Sequence, residues 1–204
     1  MSKTKLLIFI FVVVVVLGGT VTYLALGRKG NQVKNNGKSV AKVETVNSEP
    51  VGMIIERDTS LVQSTPEKED EESGQMWRFV QPADSQQQFV VSSYYEQGAS
   101  LKKLTSLTKM PLKEAVLDNV SRQLPQQYPE YKELSQKDIT VNGTQATEIV
   151  FEYVSQNIPV RQRLLLLFKN SDTVVYIRGQ AKAAEYDDIN SKYFAPLFAS
   201  SKFE

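Results

Sequence analysis

Hydrophobic and polar positions divide the chain into three regimes. The first is an unbroken apolar run, Leu6 to Leu26, which reads LLIFIFVVVVVLGGTVTYLAL and holds 21 residues without a charge. A helix of this length spans ~31 Å, the thickness of a bilayer core. A helix packed on a soluble core would show a polar face, and this run has none. Val12 to Val16 are poor helix formers, but lipid forces backbone hydrogen bonding inward and overrides that preference. The pattern predicts one transmembrane anchor at 6–26 behind a short tail at 1–5. A cleaved signal peptide is the rival reading. Its apolar stretch is usually about 7–15 residues long and ends at a small-x-small site, which Ala25-Leu26-Gly27 matches poorly. Lys3 and Lys5 precede the run, and Arg28 and Lys29 follow it. The short N-terminus favours the inside, so the expected location is a single-pass cell-membrane protein with its domain on the extracytoplasmic side.

The second regime is polar. Residues 27–47 are rich in Gly, Asn and Lys and lack aromatics. Such a stretch cannot bury enough apolar surface to offset the entropy of ordering, so a flexible stalk is expected there. A second polar stretch, Thr65 to Gln75, carries Glu67, Glu69, Asp70, Glu71 and Glu72. It lacks the full ligand-and-glycine spacing pattern of a calcium loop and reads as a solvated loop.

The third regime, 48–204, alternates as a folded domain does. Val51–Arg57, Met76–Val80 and Phe89–Glu96 read as strands. Pro111 opens a helix whose Leu112, Val116, Val120 and Leu124 recur every four residues, with Leu117 beside them; Pro125 and Pro129 should end it. Ile139–Val141 leads into Asn142-Gly143, a strong hairpin signal. Thr144–Val154 follows, with Ile149, Phe151 and Tyr153 on one face, then Val160–Phe168 and Thr173–Gly179. The short connections make an antiparallel meander, because parallel strands need longer crossovers. Ala183–Ala195 closes the domain as a helix, with Tyr186, Ile189, Tyr193 and Leu197 buried and Pro196 kinking or ending it. Two helices and one antiparallel sheet make an α+β layered domain.

Composition then removes whole classes of chemistry. The chain has no cysteine and no histidine. Disulfides, thiolate metal sites, a cysteine nucleophile, a lipoprotein anchor, a Ser-His-Asp triad and a histidine-ligated zinc site are therefore outside its repertoire. No metal site and no cofactor are expected, and there is no Gly-rich phosphate loop. Residues 1–44 hold seven Lys/Arg against Glu44 alone, whereas 45–204 hold 17 Lys/Arg against 22 Asp/Glu. A mildly acidic domain without a basic stripe argues against a nucleic-acid partner.

Candidate binding chemistry sits on the meander. If both hairpins pair symmetrically about their loops, Glu152 faces Arg161 and Arg163 faces Arg178. Alternation then gathers Glu148, Glu152, Arg161, Arg163 and Arg178 on one face, continued by Leu165, Leu167 and Tyr176. One reading is a cross-strand ion-pair ladder; the other is an anion or partner patch built from three guanidiniums. Glu148 and Glu152 as a catalytic pair fail on geometry: four residues along a strand separates them by ~13 Å, beyond the spacing of either glycosidase class. No catalytic residue is identified. Tyr94 and Tyr95 face opposite sides of a strand, and Trp77 is either a core residue or a partner anchor.

From Tyr131 to Phe203 the chain resembles the C-terminal half of the PsbP-like superfamily. The stretches that carry the likeness are ELSQKDITVNGTQATEIVFEYV, VRQRLLLLFKNSDTVVYIRGQAKAAEYDDI and the terminal SSKF, in that order, with the Pro111–Leu124 helix upstream. The resemblance implies an α-β-α sandwich around an antiparallel sheet and a largely non-enzymatic life. Members of the superfamily include photosystem II extrinsic proteins, a yeast nuclear-transport factor that binds a small GTPase, and bacterial exported proteins. Trp77 precedes Pro82 where the family's early segment runs Pro…Trp, and the metal-binding histidines of some plant members are absent, so no photosynthetic role is implied. The expectation is a membrane-tethered, non-catalytic accessory domain, 48–204, with a protein partner or an envelope component. The alternative is a small-molecule or anion binder, or an enzyme, acting through Arg161, Arg163 and Arg178.

Overall fold

The computed structural model describes residues 42–64, 74–83 and 85–204. The expected anchor at 6–26, the tail at 1–5, most of the stalk and residues 65–73 of the acidic run lie outside them. Among the described residues, no helix is long and apolar enough to cross a membrane.

Seven antiparallel strands form the main sheet, in the order β3-β4-β5-β9-β8-β7-β6. They are β3 (Val62–Gln63), β4 (Gln75–Val80), β5 (Phe89–Gln97), β6 (Lys132–Val141), β7 (Thr144–Ser155), β8 (Ile158–Asn170) and β9 (Thr173–Lys182). Tight turns set this meander. Asn142 and Gly143 both take positive φ, 47° and 83°, and so do Gln156 and Asn157 at the β7–β8 turn; two such residues match the right-handed twist of a hairpin. β8 and β9 are central and covered on both faces, which is why they read as near-continuous apolar runs such as LLLLF and VVYI.

One face is covered by α1 (Ala99–Thr108) and α2 (Leu112–Gln127). Leu101, Leu104, Val116, Val120 and Leu124 pack there on Ile149, Phe151, Leu164 and Leu166. The opposite face is covered by the C-terminal helical segment, comprising α3 (Tyr186–Ile189), a π-helical turn at Asn190–Phe194 and α4 (Ala195–Ser200). A small sheet adjoins it, made of β1 (Val43–Ser48), β2 (Met53–Asp58) and β10 (Lys202–Phe203) in the order β1-β2-β10. Trp77, Phe79, Ile55, Ile177, Phe194 and Phe198 belong to this second core. The result is the expected α+β sandwich.

Several sequence expectations change in detail. The end of the expected stalk is strand: Val43–Ser48 pairs antiparallel with β2, Val46 opposite Ile55. Most of β1 is exposed, so little in its composition announces it; pairing with a distant strand fixes it. Pro125 does not end α2, which runs on to Gln127. Pro125 and Ser121, whose carbonyl loses its usual donor, are both exposed, so the missing hydrogen bond falls on the solvent side of the helix. Pro196 does not end the closing segment either. The N–H of Ala195 donates to the Asn190 carbonyl in π register and α4 starts afresh, with proline in its first turn, where an N–H is dispensable.

Candidate functional site

The meander brings four of the six candidate residues together. Glu152 lies opposite Arg161 as expected. The second hairpin is offset by one: Arg163 lies opposite Gly179, and Arg178 lies opposite Leu164. The cause is an irregularity at Lys169, between the paired positions Phe168–Val174 and Asn170–Thr173. A one-residue slip moves every side chain of a strand to the other face. Arg178 and Tyr176 therefore leave the predicted patch and enter the core beneath α1 and α2, which corrects the three-arginine face.

On the patch face, each remaining arginine already has partners. Arg161 grips Glu152 through Nε and NH2, at 2.9 and 2.8 Å, and donates to Asp187 at 3.1 Å. Its guanidinium lies 5.2 Å from the Tyr186 ring centre. Arg163 pairs with Glu148, donates to Asn190 Oδ1 at 3.1 Å and stacks on Phe198 at 4.8 Å. Lys137 of β6 pairs with the other oxygen of Glu148 at 2.8 Å. Glu148 is only 3% exposed. Burial pushes its carboxyl up, but the hydrogen bonds and charges of Lys137 and Arg163 outweigh that and hold it below the usual carboxylate range. Tyr186, above the pair, has its phenol pushed up to about 12, chiefly by burial. The arginines thus tie the sheet to the C-terminal segment. Their forks are occupied by carboxylates, and the helical segment lies over them, so the ladder reading describes this face.

Arg178 is 1% exposed. It donates from Nε to Ser92 Oγ at 2.9 Å and from NH2 to the Tyr94 hydroxyl at 2.6 Å, with the guanidinium 4.7 Å from the Tyr94 ring centre. Tyr128 adjoins it; burial raises that phenol, and the arginine's charge opposes the rise. Tyr153 donates to Gln180 at 3.3 Å on the same face. Tyr176 donates to Glu96 Oε2 at 3.2 Å. Burial raises the Glu96 carboxyl, against hydrogen bonds from Ser100 and Tyr176. Tyr94 is core, Tyr95 packs partly on the opposite side, and Trp77 is buried and stacked on Phe79 at 5.0 Å. None of these three is presented as a surface anchor.

Sequence reasoning missed α1 entirely. Its only buried side chains are Leu101 and Leu104, and four of its ten residues are Ser or Thr. Past them the α1–α2 junction exposes Leu107 and Met110 among lysines. The signal was in the sequence as a stretch, 97–113, with four lysines and no acid.

Neither a protein-family model nor a curated protein matches this chain by sequence. Solved structures do match by shape. Cyanobacterial PsbP (CyanoP) from Synechocystis sp. aligns over 86% of this chain and 100% of its own, with a TM-score of 0.55 and 11% identity. The Ran-binding protein Mog1p of Saccharomyces cerevisiae aligns over 79% and 95%, with a TM-score of 0.52 and 11% identity. LpqN, a Mycobacterium tuberculosis protein involved in cell envelope biogenesis, aligns over 80% and 91%, with a TM-score of 0.50 and 12% identity. Element order, layering and these alignments agree: the chain has the fold of the PsbP-like superfamily.

Proposed function

We propose that this protein is a membrane-tethered, non-catalytic accessory domain that binds a protein complex or an envelope component outside the cytoplasm. The observation that carries the reading is the state of the arginine face. Arg161 and Arg163 are saturated by Glu152, Asp187 and Glu148 and lie against the C-terminal segment, so the sheet is a scaffold there. The fold supports an interaction role: Mog1p is a Ran-binding protein and LpqN acts in envelope biogenesis. The tether rests on the uncharged run Leu6–Leu26.

The small-molecule or enzyme alternative needed three guanidiniums on one face, and Arg178 is on the other. Crosslinking in native membranes tests the proposal. A specific protein adduct that survives Arg163→Glu in a folded variant supports it. Recovery of monomer alone, or measured turnover by the purified protein, contradicts it.

A further inference from the structure

The α1–α2 junction stands apart in charge from the rest of the domain. Residues 97–113 hold Lys102, Lys103, Lys109 and Lys113 and no acid, whereas the remainder of 45–204 holds 13 basic and 22 acidic residues. Lys113 is engaged by Asp138 at 2.7 Å. Lys102, Lys103 and Lys109 are exposed and make no ion pair among the described residues. Two large apolar side chains accompany them in solvent: Leu107 is 59% exposed and Met110 43%.

The helix explains the arrangement. Each step of three residues rotates the side chain about 60° off the starting face, so Leu101 and Leu104 meet the core and Leu107 has turned outward. Lys103 and Leu107, four apart, are neighbours on that outer face. Lys109 then caps α1 in the left-handed region, at φ 57°, where glycine is the usual residue. The junction is an exposed tip of the helix pair, with apolar side chains set among cations. That is the make-up of an interfacial binding element, in which apolar side chains enter the headgroup boundary and lysines face anionic lipid.

We propose that the α1–α2 tip docks on the surface of an anionic lipid bilayer. Leu107 and Met110 enter the interface, while Lys102, Lys103 and Lys109 face the lipid phosphates. This rests on the tethered reading to the extent that an anchor at 6–26 holds the domain near that surface, and it gives the domain a defined side towards the membrane.

Because the chain has no cysteine, Met110→Cys in the full chain carries a single environment-sensitive fluorophore. Reconstitution into vesicles of phosphatidylcholine, with and without phosphatidylglycerol, provides the comparison. The expected result is a blue shift, with quenching by brominated lipid, only in the anionic vesicles. Replacing Lys102, Lys103 and Lys109 by Glu should abolish it, the interfacial partition of the tip falling by at least about a hundredfold. A label at Glu130→Cys, ~24 Å away beyond the far end of α2, should stay polar throughout. No shift in anionic vesicles, an equal shift in neutral ones, or an equal shift at residue 130 overturns the proposal. Flotation with the neutral vesicles, which the tip does not bind, reports the anchor independently. A chain that does not float sinks the tether, while the label's response to added anionic vesicles still decides the tip.

Discussion

A Cβ on Gly179 would lie 2.7 Å from the ring of Phe194. Gly179 sits on β9 opposite Arg163, and Phe194 closes the π-helical turn above it. The missing side chain lets the C-terminal segment settle on the sheet deeply enough for Asp187 and Asn190 to reach the arginines. Gly179→Ala should therefore destabilise the protein by roughly 1–3 kcal/mol, as overpacking does. Urea unfolding measures this, and adding Phe194→Leu should recover part of the loss.

Glu148 is the hub of the ladder, held by Arg163 on one oxygen and Lys137 on the other. Its carboxyl is lowered below the ordinary value of 4.5 by those partners, against burial. A lowered carboxyl gives stability that is full above the unfolded pKa and lost as pH falls through the folded one. Thermal stability should fall on acidification below pH 4.5, and Glu148→Gln should flatten that limb. At neutral pH the substitution should cost about 3 kcal/mol, the low end for a broken buried pair, since Lys137 remains mostly in solvent.

Glu96 has the opposite sign. Burial raises its carboxyl above 4.5, with Ser100 and Tyr176 opposing. Here the contribution is fully present below the unfolded pKa and lost as pH rises through the folded one. Glu96→Gln should raise the melting temperature at neutral pH, and the gain should vanish below pH 4.5. A gain that persists in acid would contradict this assignment.

Lys109 holds a left-handed backbone at the end of α1, which costs a non-glycine residue about 1 kcal/mol. Lys109→Gly should stabilise the fold by up to that amount while removing one of the three tip lysines that make no ion pair among the described residues. Calorimetry and vesicle binding should then move in opposite directions.

The sequence displayed the meander because its cues are local. Asn142-Gly143 fixes one turn, and Ile149, Phe151 and Tyr153 alternate cleanly into the core beneath the helices. What it hid depended on distant pairing. Val43–Ser48 becomes a strand only because β2 lies alongside, and β6 extends back to Lys132 through residues that are almost all exposed. The candidate site was half legible. Glu152–Arg161 followed from loop symmetry, but the irregularity at Lys169 moved Arg178 to the other face, and no residue type marks such an offset.

Attachment to a bilayer through the uncharged run Leu6–Leu26 is the property to test first. Full-length protein, its N-terminus verified intact by mass spectrometry, should remain with membranes through alkaline washing and leave them only with detergent. Intact protein that stays in the aqueous phase without detergent would contradict it.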